Sequence, residues 1–298
     1  MPGGWSKIKA YGAGFLRGLS GFRLRRSLSL LGDSDIAVKR LEAQGFSILV
    51  DVRDYALAKP IMIAGRYEPH VTAALSGELR EDTVFLDVGA NIGFFTLLVA
   101  ARCPAGRVYS IEPDPDNARL LSASVALNGF GSRVTVHSCA ASDEAGVLTL
   151  SDLGNARNLG ARFTSKKHET LDRHVHGPAP KFVEVRAARL DQLLDVPKLD
   201  LVKMDIEGFE PVALRGMEGL LGKHRPVIVM EFAPGTIRDI AGEDPESALR
   251  QLVAAGYELG ILGDDGRAAS MTIDTEELLR VCEGRGVHHV DLLARPRR

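Results

Sequence analysis

The stretch Thr83–Val88 (TVFLDV), followed by Gly89-Ala90-Asn91-Ile92-Gly93, constrains the fold of this chain more than any other. Large apolar and β-branched residues interrupted by a single acid near the end have the pattern of a strand covered on both faces. Strands of that kind belong to parallel sheets. The glycines that follow let the backbone reverse sharply, and from Ile92 to Arg102 the pattern becomes helical. A strand that turns through glycines into a helix is the opening unit of an open α/β sheet.

The same alternation continues downstream. Arg107–Ile111 and Arg133–His137 read as strands; between them Asp114-Pro115 supplies an N-cap and a proline at the first helical position, with Gly129 at the stop. Leu199–Met204, Pro226–Phe232, Tyr257–Leu262 and Val287–Ala294 read as further strands, and Pro211–Leu221, Pro245–Ala255 and Asp274–Glu283 as helices. Gly146–Leu150 and Phe182–Arg186 are shorter strand candidates around a polar stretch. Within that stretch Asn155–His176 is a candidate lid, because long connections inside compact domains are usually functional. The expected organisation is an N-terminal extension over 1–33, a small cap of helices and strands over 34–80, and the sheet domain over 81–298.

Composition sets outer limits. An apolar fraction of 45% and a charged fraction of 26% in 298 residues suit a globular chain with a core, and a net charge of −2 gives no reason to expect a nucleic-acid partner. Cys103, Cys139 and Cys282 are odd in number and far apart, which favours a reducing compartment and no structural metal. With no run long enough to span a bilayer and no clean secretory leader, the expected location is cytoplasmic. One asymmetry qualifies this. No acid precedes Asp33, whereas Lys7, Lys9, Arg17, Arg23, Arg25 and Arg26 interleave there with Trp5, Ile8, Tyr11, Phe15, Leu16, Leu19 and Phe22. The segment is either an amphipathic element lying on the inner face of a membrane or a partner, or a basic tail weakened by four glycines.

The acids at the strand ends point to chemistry. In α/β sheets ligands bind beyond the carboxyl ends of the strands. Gly89, Ala90, Asn91, Gly93 and Phe94 form the turn after the first strand, and their spacing differs from the GxGxxG of dinucleotide sites. S-adenosylmethionine carries no pyrophosphate, so it needs no phosphate cradle, and an acid such as Asp87 suits its ammonium and sulfonium. Glu112, ending the second strand, is placed to accept from both ribose hydroxyls, and Asp143, after the third, from the adenine amino group. An acid before the glycines joined to an acid at the second strand signals a nucleoside cofactor.

At these residues the chain resembles the FkbM family of methyltransferases. The likeness runs through Tyr67-Glu68-Pro69, VFLDVGANIGFFTL, VYSIEPDPDNARLL, VALNG, LDQLL, LDLVKMDIEGFEPVALRGM and RPVIVMEF, roughly Tyr67 to Phe232. It implies a Rossmann-like class I methyltransferase fold of the α/β class. The sheet would have seven mostly parallel strands, helices on both faces and an antiparallel last strand. It also implies O-methyl transfer from S-adenosylmethionine to a hydroxyl of a sugar, lipid-linked glycan or secondary metabolite.

Transfer to an alcohol calls for alignment and for a group that takes the proton. Asp205 is the first candidate, for the methionyl end or for the acceptor hydroxyl, with Glu207 next and Glu231 as a further base. Lys203 either steadies a developing alkoxide or pairs with Asp205 and Glu207. Glu68 either reaches the cofactor from the cap or is a solvated loop acid. The carboxylates would also suit magnesium, but the resemblance requires no metal and none is assigned. His168, His174 and His176 read as surface residues. Two other readings stay open at this point: a nicotinamide-dependent oxidoreductase, and a non-catalytic membrane-surface adaptor with a retained fold.

Overall fold

The computed structural model describes residues 9–11, 36–152, 162–165 and 181–297. Its strands are β1 (Lys9–Tyr11), β2 (Ile36–Leu41), β3 (Phe46–Asp51), β4 (Val84–Val88), β5 (Arg107–Ile111), β6 (Val134–His137), β7 (Ala140–Ala141), β8 (Gly146–Asp152), β9 (Arg162–Ser165), β10 (Lys181–Ala188), β11 (Leu201–Met204), β12 (Val227–Phe232), β13 (Tyr257–Ile261) and β14 (Val290–Pro296). The helices used below are α1 (Tyr55–Lys59), α2 (Pro69–Glu78), α3 (Phe94–Arg102), α4 (Pro115–Asn128), α5 (Leu190–Leu193), α6 (Glu210–Arg215), α7 (Glu218–His224), α8 (Pro245–Ala254) and α9 (Thr275–Gly284).

The main sheet has the order β13-β14-β12-β11-β4-β5-β6. β4, β5, β6, β11 and β12 are parallel, and β14 runs against both of its neighbours. The order reverses beside β4: β5 and β6 lie to one side and β11 and β12 to the other. The crevice at a reversal of this kind is where open α/β sheets bind ligands. It falls at the carboxyl ends of β4 and β11.

Alternation along the strands sorts side chains between two layers. Phe85, Leu201, Val229 and Leu293 face β2, β3, α2, α3 and α4 in one apolar cluster. Leu86, Val88, Val202, Met204 and Met230 face α6 to α9 in another. The segment from Ile36 to Leu75 shares the first cluster with the sheet, so it is packed onto α3 and α4 through Phe46, Ile48, Ile61 and Leu75. A smaller sheet, β7-β10-β8-β9, packs Leu148, Leu150 and Val185 against Phe209 and Val212.

The caps expected at α4 are present. Asp114 accepts from the Asp116 and Asn117 N–H groups, and Gly129 ends the helix at φ 74°. The continuous helix expected over Pro211–Leu221 is instead two, α6 and α7, broken at Gly216-Met217. A Cβ on Gly216 would lie 1.9 Å from the Ser142 carbonyl oxygen, and the Gly216 carbonyl accepts from Asp191 N–H, so the chain leaves the helical path to pack there. Within the polar stretch, β9 pairs with β8. The rest of the candidate lid, including Asn155, His168, His174 and His176, lies outside the described residues. So does the N-terminal segment apart from Lys9–Tyr11, which is a strand parallel to β2. Among the described residues no helix is long and apolar enough to cross a membrane.

Candidate active site

The turn after β4 is built by backbone contacts. The Gly89 and Ala90 N–H groups both donate to the Ile111 carbonyl, at 2.9 and 3.0 Å, which draws the turn over the end of β5. Gly89, Asn91 and Gly93 all take positive φ, at 79°, 51° and 91°. A Cβ on Gly89 would sit 1.8 Å from the Asp205 carbonyl oxygen, so glycine here permits β4 and β11 to approach. A Cβ on Gly93 would meet Leu121 at 2.2 Å, where Phe94 opens α3 against α4.

Glu112 locks this turn. One carboxylate oxygen accepts from Asn91 N–H at 2.7 Å and the other from Asp114 N–H at 2.8 Å. Its side chain therefore ties the β4 turn to the start of α4, with its carboxylate at the mouth of the crevice.

Register places the charged residues of neighbouring strands side by side. Asp87 pairs with Ser110 on β5 and with Lys203 on β11. One Asp87 oxygen accepts from the Thr96 hydroxyl at 2.6 Å; the other is buried with no hydrogen-bond partner among the described residues. Lys203 donates to Asp205 at 2.9 Å, and its ammonium lies 5.3 Å from the centre of the Phe95 ring. Burial alone would pull the Lys203 ammonium down, but Asp205, Asp87 and Glu68 outweigh it and hold Lys203 well above its ordinary range.

A second row lies farther along the sheet. Glu231 on β12 is directly opposite Asp291 on β14, with His289 3.7 Å from Glu231 and His70 2.6 Å from Asp291. Two like charges opposite each other in adjacent strands are unfavourable. Burial, followed by Asp205, Glu207, Glu210 and Asp291, pushes the Glu231 carboxyl well above its usual range.

Glu68 and Glu207 complete the group from two turns. Glu68 precedes α2 at φ 38° and Glu207 follows β11 at φ 55°. With Asn91, these are three of the four non-glycine residues at positive φ among the described residues, and strained backbone of this type clusters at functional sites. Burial pushes each of the two carboxyls up to about 7; Asp205 raises both, and Lys203 partly offsets the shift. Tyr67 anchors the Glu68 turn by packing against Phe94 and Phe95, with ring centres 5.5 and 6.0 Å away.

The structure thus gathers Glu68, Asp87, Lys203, Asp205, Glu207 and Glu231 at one end of the sheet, with Glu112 beside them. Asp143 is held by Arg215, whose Nε and Nη2 donate to the same carboxylate oxygen at 3.1 and 3.0 Å. Four residues of the cluster carried no signal in the sequence reading: Thr96, His70, Glu210 and Asp291. Thr96 and Glu210 stand within the family motifs, as the third residue of α3 and three residues after Glu207. His70 and Asp291 meet only through tertiary register.

The sheet order, the single antiparallel strand and the acid-lined crevice define a class I methyltransferase fold. The methyltransferase FkbM domain matches residues 87–265, and the chain belongs to that family; it is an S-adenosylmethionine-dependent methyltransferase. This sets aside the oxidoreductase and adaptor readings. The chain is 28% identical to the methyltransferase sdnD of Sordaria araneosa over 186 residues, 54% of this chain and 70% of that one. It is 28% identical to the 31-O-demethyl-FK506 methyltransferase FkbM of Streptomyces tacrolimicus, over 47% of this chain and 62% of that one. It is also 28% identical to the hexuronic acid methyltransferase AglP of Haloferax volcanii, over 64% of this chain and 70% of that one. A solved methyltransferase FkbM from Methylobacillus flagellatus aligns at 20% identity with a TM-score of 0.45, over 79% of this chain and 50% of that one.

The crevice suits this donor. S-adenosylmethionine brings an ammonium and a sulfonium, and the end of β4 offers a buried carboxylate oxygen with no hydrogen-bond partner among the described residues, within an excess of acids around one lysine.

Proposed function

We propose that the protein transfers a methyl group to a hydroxyl oxygen of a sugar, lipid-linked glycan or secondary metabolite. The observation that carries this reading is Glu207, a carboxyl held on a left-handed turn beside the Lys203–Asp205 pair and pushed up to about 7. A general base is most useful when its proton affinity lies near the working pH. When bound, S-adenosylmethionine would supply a methyl carbon open to attack by oxygen, with the neutral thioether S-adenosylhomocysteine as leaving group. In this reading Asp87 and Asp205 face the positive methionyl end, Glu112 accepts from the ribose, and Asp143 lies toward the adenine. Gly89, Ala90, Asn91, Gly93 and Phe94 shape the turn around the donor. Lys203 holds Asp205 in place and offsets negative charge as the acceptor oxygen loses its proton to Glu207, with Glu231 as the second proton site. Residues 34–80 act as a cap that presents Tyr67 and Glu68 to the crevice.

Two relatives support the acceptor class: one is named a 31-O-demethyl-FK506 methyltransferase, the other a hexuronic acid methyltransferase. The test is methyl transfer from labelled donor into a host extract, with the labelled product characterised by mass spectrometry and NMR. A methyl ether on a small molecule or glycan is expected. Label on nitrogen, carbon or protein overturns the acceptor assignment.

The basic segment from Lys7 to Arg26 adds a peripheral membrane contact to this proposal. The full chain should sediment with phosphatidylglycerol vesicles and not with phosphatidylcholine vesicles, and a chain starting at Asp33 should sediment with neither. Equal behaviour of the two proteins removes the membrane contact.

A further inference from the structure

The turn that carries Glu207 has no regular structure of its own. After β11 the chain passes through Glu207 at φ 55° and Gly208 at φ 92° before entering α6. Gly208 has no room to relax, since a Cβ there would lie 2.8 Å from the Thr236 backbone. The turn is held from within by Glu210. One of its carboxylate oxygens accepts from the Ile206 N–H at 3.0 Å and from the Gly208 N–H at 3.3 Å, the two amides that bracket Glu207. Glu210 is 1% exposed, and its other oxygen is buried with no hydrogen-bond partner among the described residues.

The choice of residue is informative. A glutamine could accept both bonds through its one carbonyl oxygen and would bury no charge. A carboxylate with an unpartnered oxygen in a buried site is the costlier solution for holding a turn. Burial pushes the Glu210 carboxyl itself up to about 7, against the Ile206 and Gly208 amides that favour its ionised form, so what it adds as it ionises around neutral pH is negative charge behind Glu207. The other charged groups that reach Glu207 are Asp205 and Lys203 from the end of β11, Glu68 ahead of α2, and Glu231 on β12.

We propose that Glu210 is the positioning residue of the methyl-transfer site: its carboxylate folds the Asp205–Gly208 turn that presents Glu207 and sets a second acid directly behind it. The inference rests on the reading of Glu207 as the proton acceptor. Glu210 touches neither donor nor acceptor in this reading and acts on Glu207 through the turn and through its charge.

The test uses the full-length protein with its glutamate carboxyls labelled with ¹³C. The Glu207 signal is assigned by its loss in Glu207→Gln and titrated by NMR in the absence of ligand. In Glu210→Gln the bonds to Ile206 and Gly208 persist and the charge is gone, so the Glu207 midpoint should fall by about one pH unit. Binding of S-adenosylhomocysteine, measured by calorimetry, should stay within about twofold of wild type, well inside a tenfold change per 1.4 kcal/mol. Glu210→Asp keeps the charge without the reach, so transfer should fall while S-adenosylhomocysteine affinity is retained. With an acceptor identified as above, the acid limb of the rate profile should move down in Glu210→Gln by the same amount as the NMR midpoint. An unchanged Glu207 midpoint in Glu210→Gln overturns the proposal; if that variant does not fold, a Glu210→Asp protein with wild-type transfer does so. Failure of the base assignment is separable: it appears as unimpaired transfer by Glu207→Gln, whatever Glu210 does to the midpoint.

Discussion

Glu112 shows how much one side chain carries at this site. Because both of its oxygens accept backbone N–H groups, Glu112→Gln turns one acceptor into a donor facing the Asn91 or Asp114 N–H. The change should weaken S-adenosylhomocysteine binding about ten- to hundredfold, the equivalent of roughly 1.5–3 kcal/mol for a charge-assisted bond, and should also lower the melting temperature. Calorimetry and thermal melting on the same sample separate the two effects, and a loss under about twofold places the ribose elsewhere. Asp87→Ala removes a fully buried acid that accepts from Thr96 and faces Lys203. Donor binding should be lost while the chain stays folded, because Asp205 and Glu68 still surround Lys203. Retained affinity in that variant would remove Asp87 from the cofactor site.

Among the elements, α2 is the one whose placement matters most to the cluster. Ion pairs join it to β14 near both ends: His70 with Asp291, and Glu78 with Arg295. Eight residues of helix rise about 12 Å and four residues of strand about 13 Å, so the two pairs match in spacing. The His70 pair lies at the active-site end, next to Glu68. The hydrogen bond to Asp291 raises the His70 imidazole above its ordinary range, against the effect of burial. The pair's contribution is therefore complete below the unfolded imidazole's value and is lost as pH rises through the raised folded value. The melting-temperature difference between wild type and His70→Gln should be largest near pH 6 and shrink by about pH 9, values bracketing the histidine range. A difference that grows with pH contradicts this account.

For the whole molecule the decisive contact is between β4 and β11. Gly89 has a positive φ and no space for a Cβ against the Asp205 carbonyl, whereas Gly129 has a similar φ and nothing within 4 Å. Gly129→Ala should cost about 1 kcal/mol through backbone strain alone. Gly89→Ala has to push the two strands apart at the sheet's reversal point, so it should lower stability more than Gly129→Ala as well as abolish donor binding. Denaturant melts of the pair test this, and equal losses would mean the strands do not meet there. Gly89 is for this reason a poor probe of the donor alone: the side chain would strike the protein before any ligand.

The seven strands of the main sheet, the glycine turns, the Asp114 and Gly129 caps and the acids at the ends of β4 and β5 were legible in the sequence. Each is governed by interactions within a few residues or by the two-residue period of a strand. The family likeness and the choice of Asp87, Glu112, Lys203 and Asp205 rested on that same local information. What tertiary structure decided was register and packing. Asp87 stands beside Lys203, and Glu231 beside Asp291, only because parallel and antiparallel strands slid into one alignment, and no local pattern specifies that alignment. The break between α6 and α7 likewise comes from Gly216 packing on the Ser142 carbonyl, a contact 74 residues away along the chain. The raised carboxyls of Glu68, Glu207 and Glu231 follow from the same cause, since burial and neighbouring charge exist only once the sheet has closed around them.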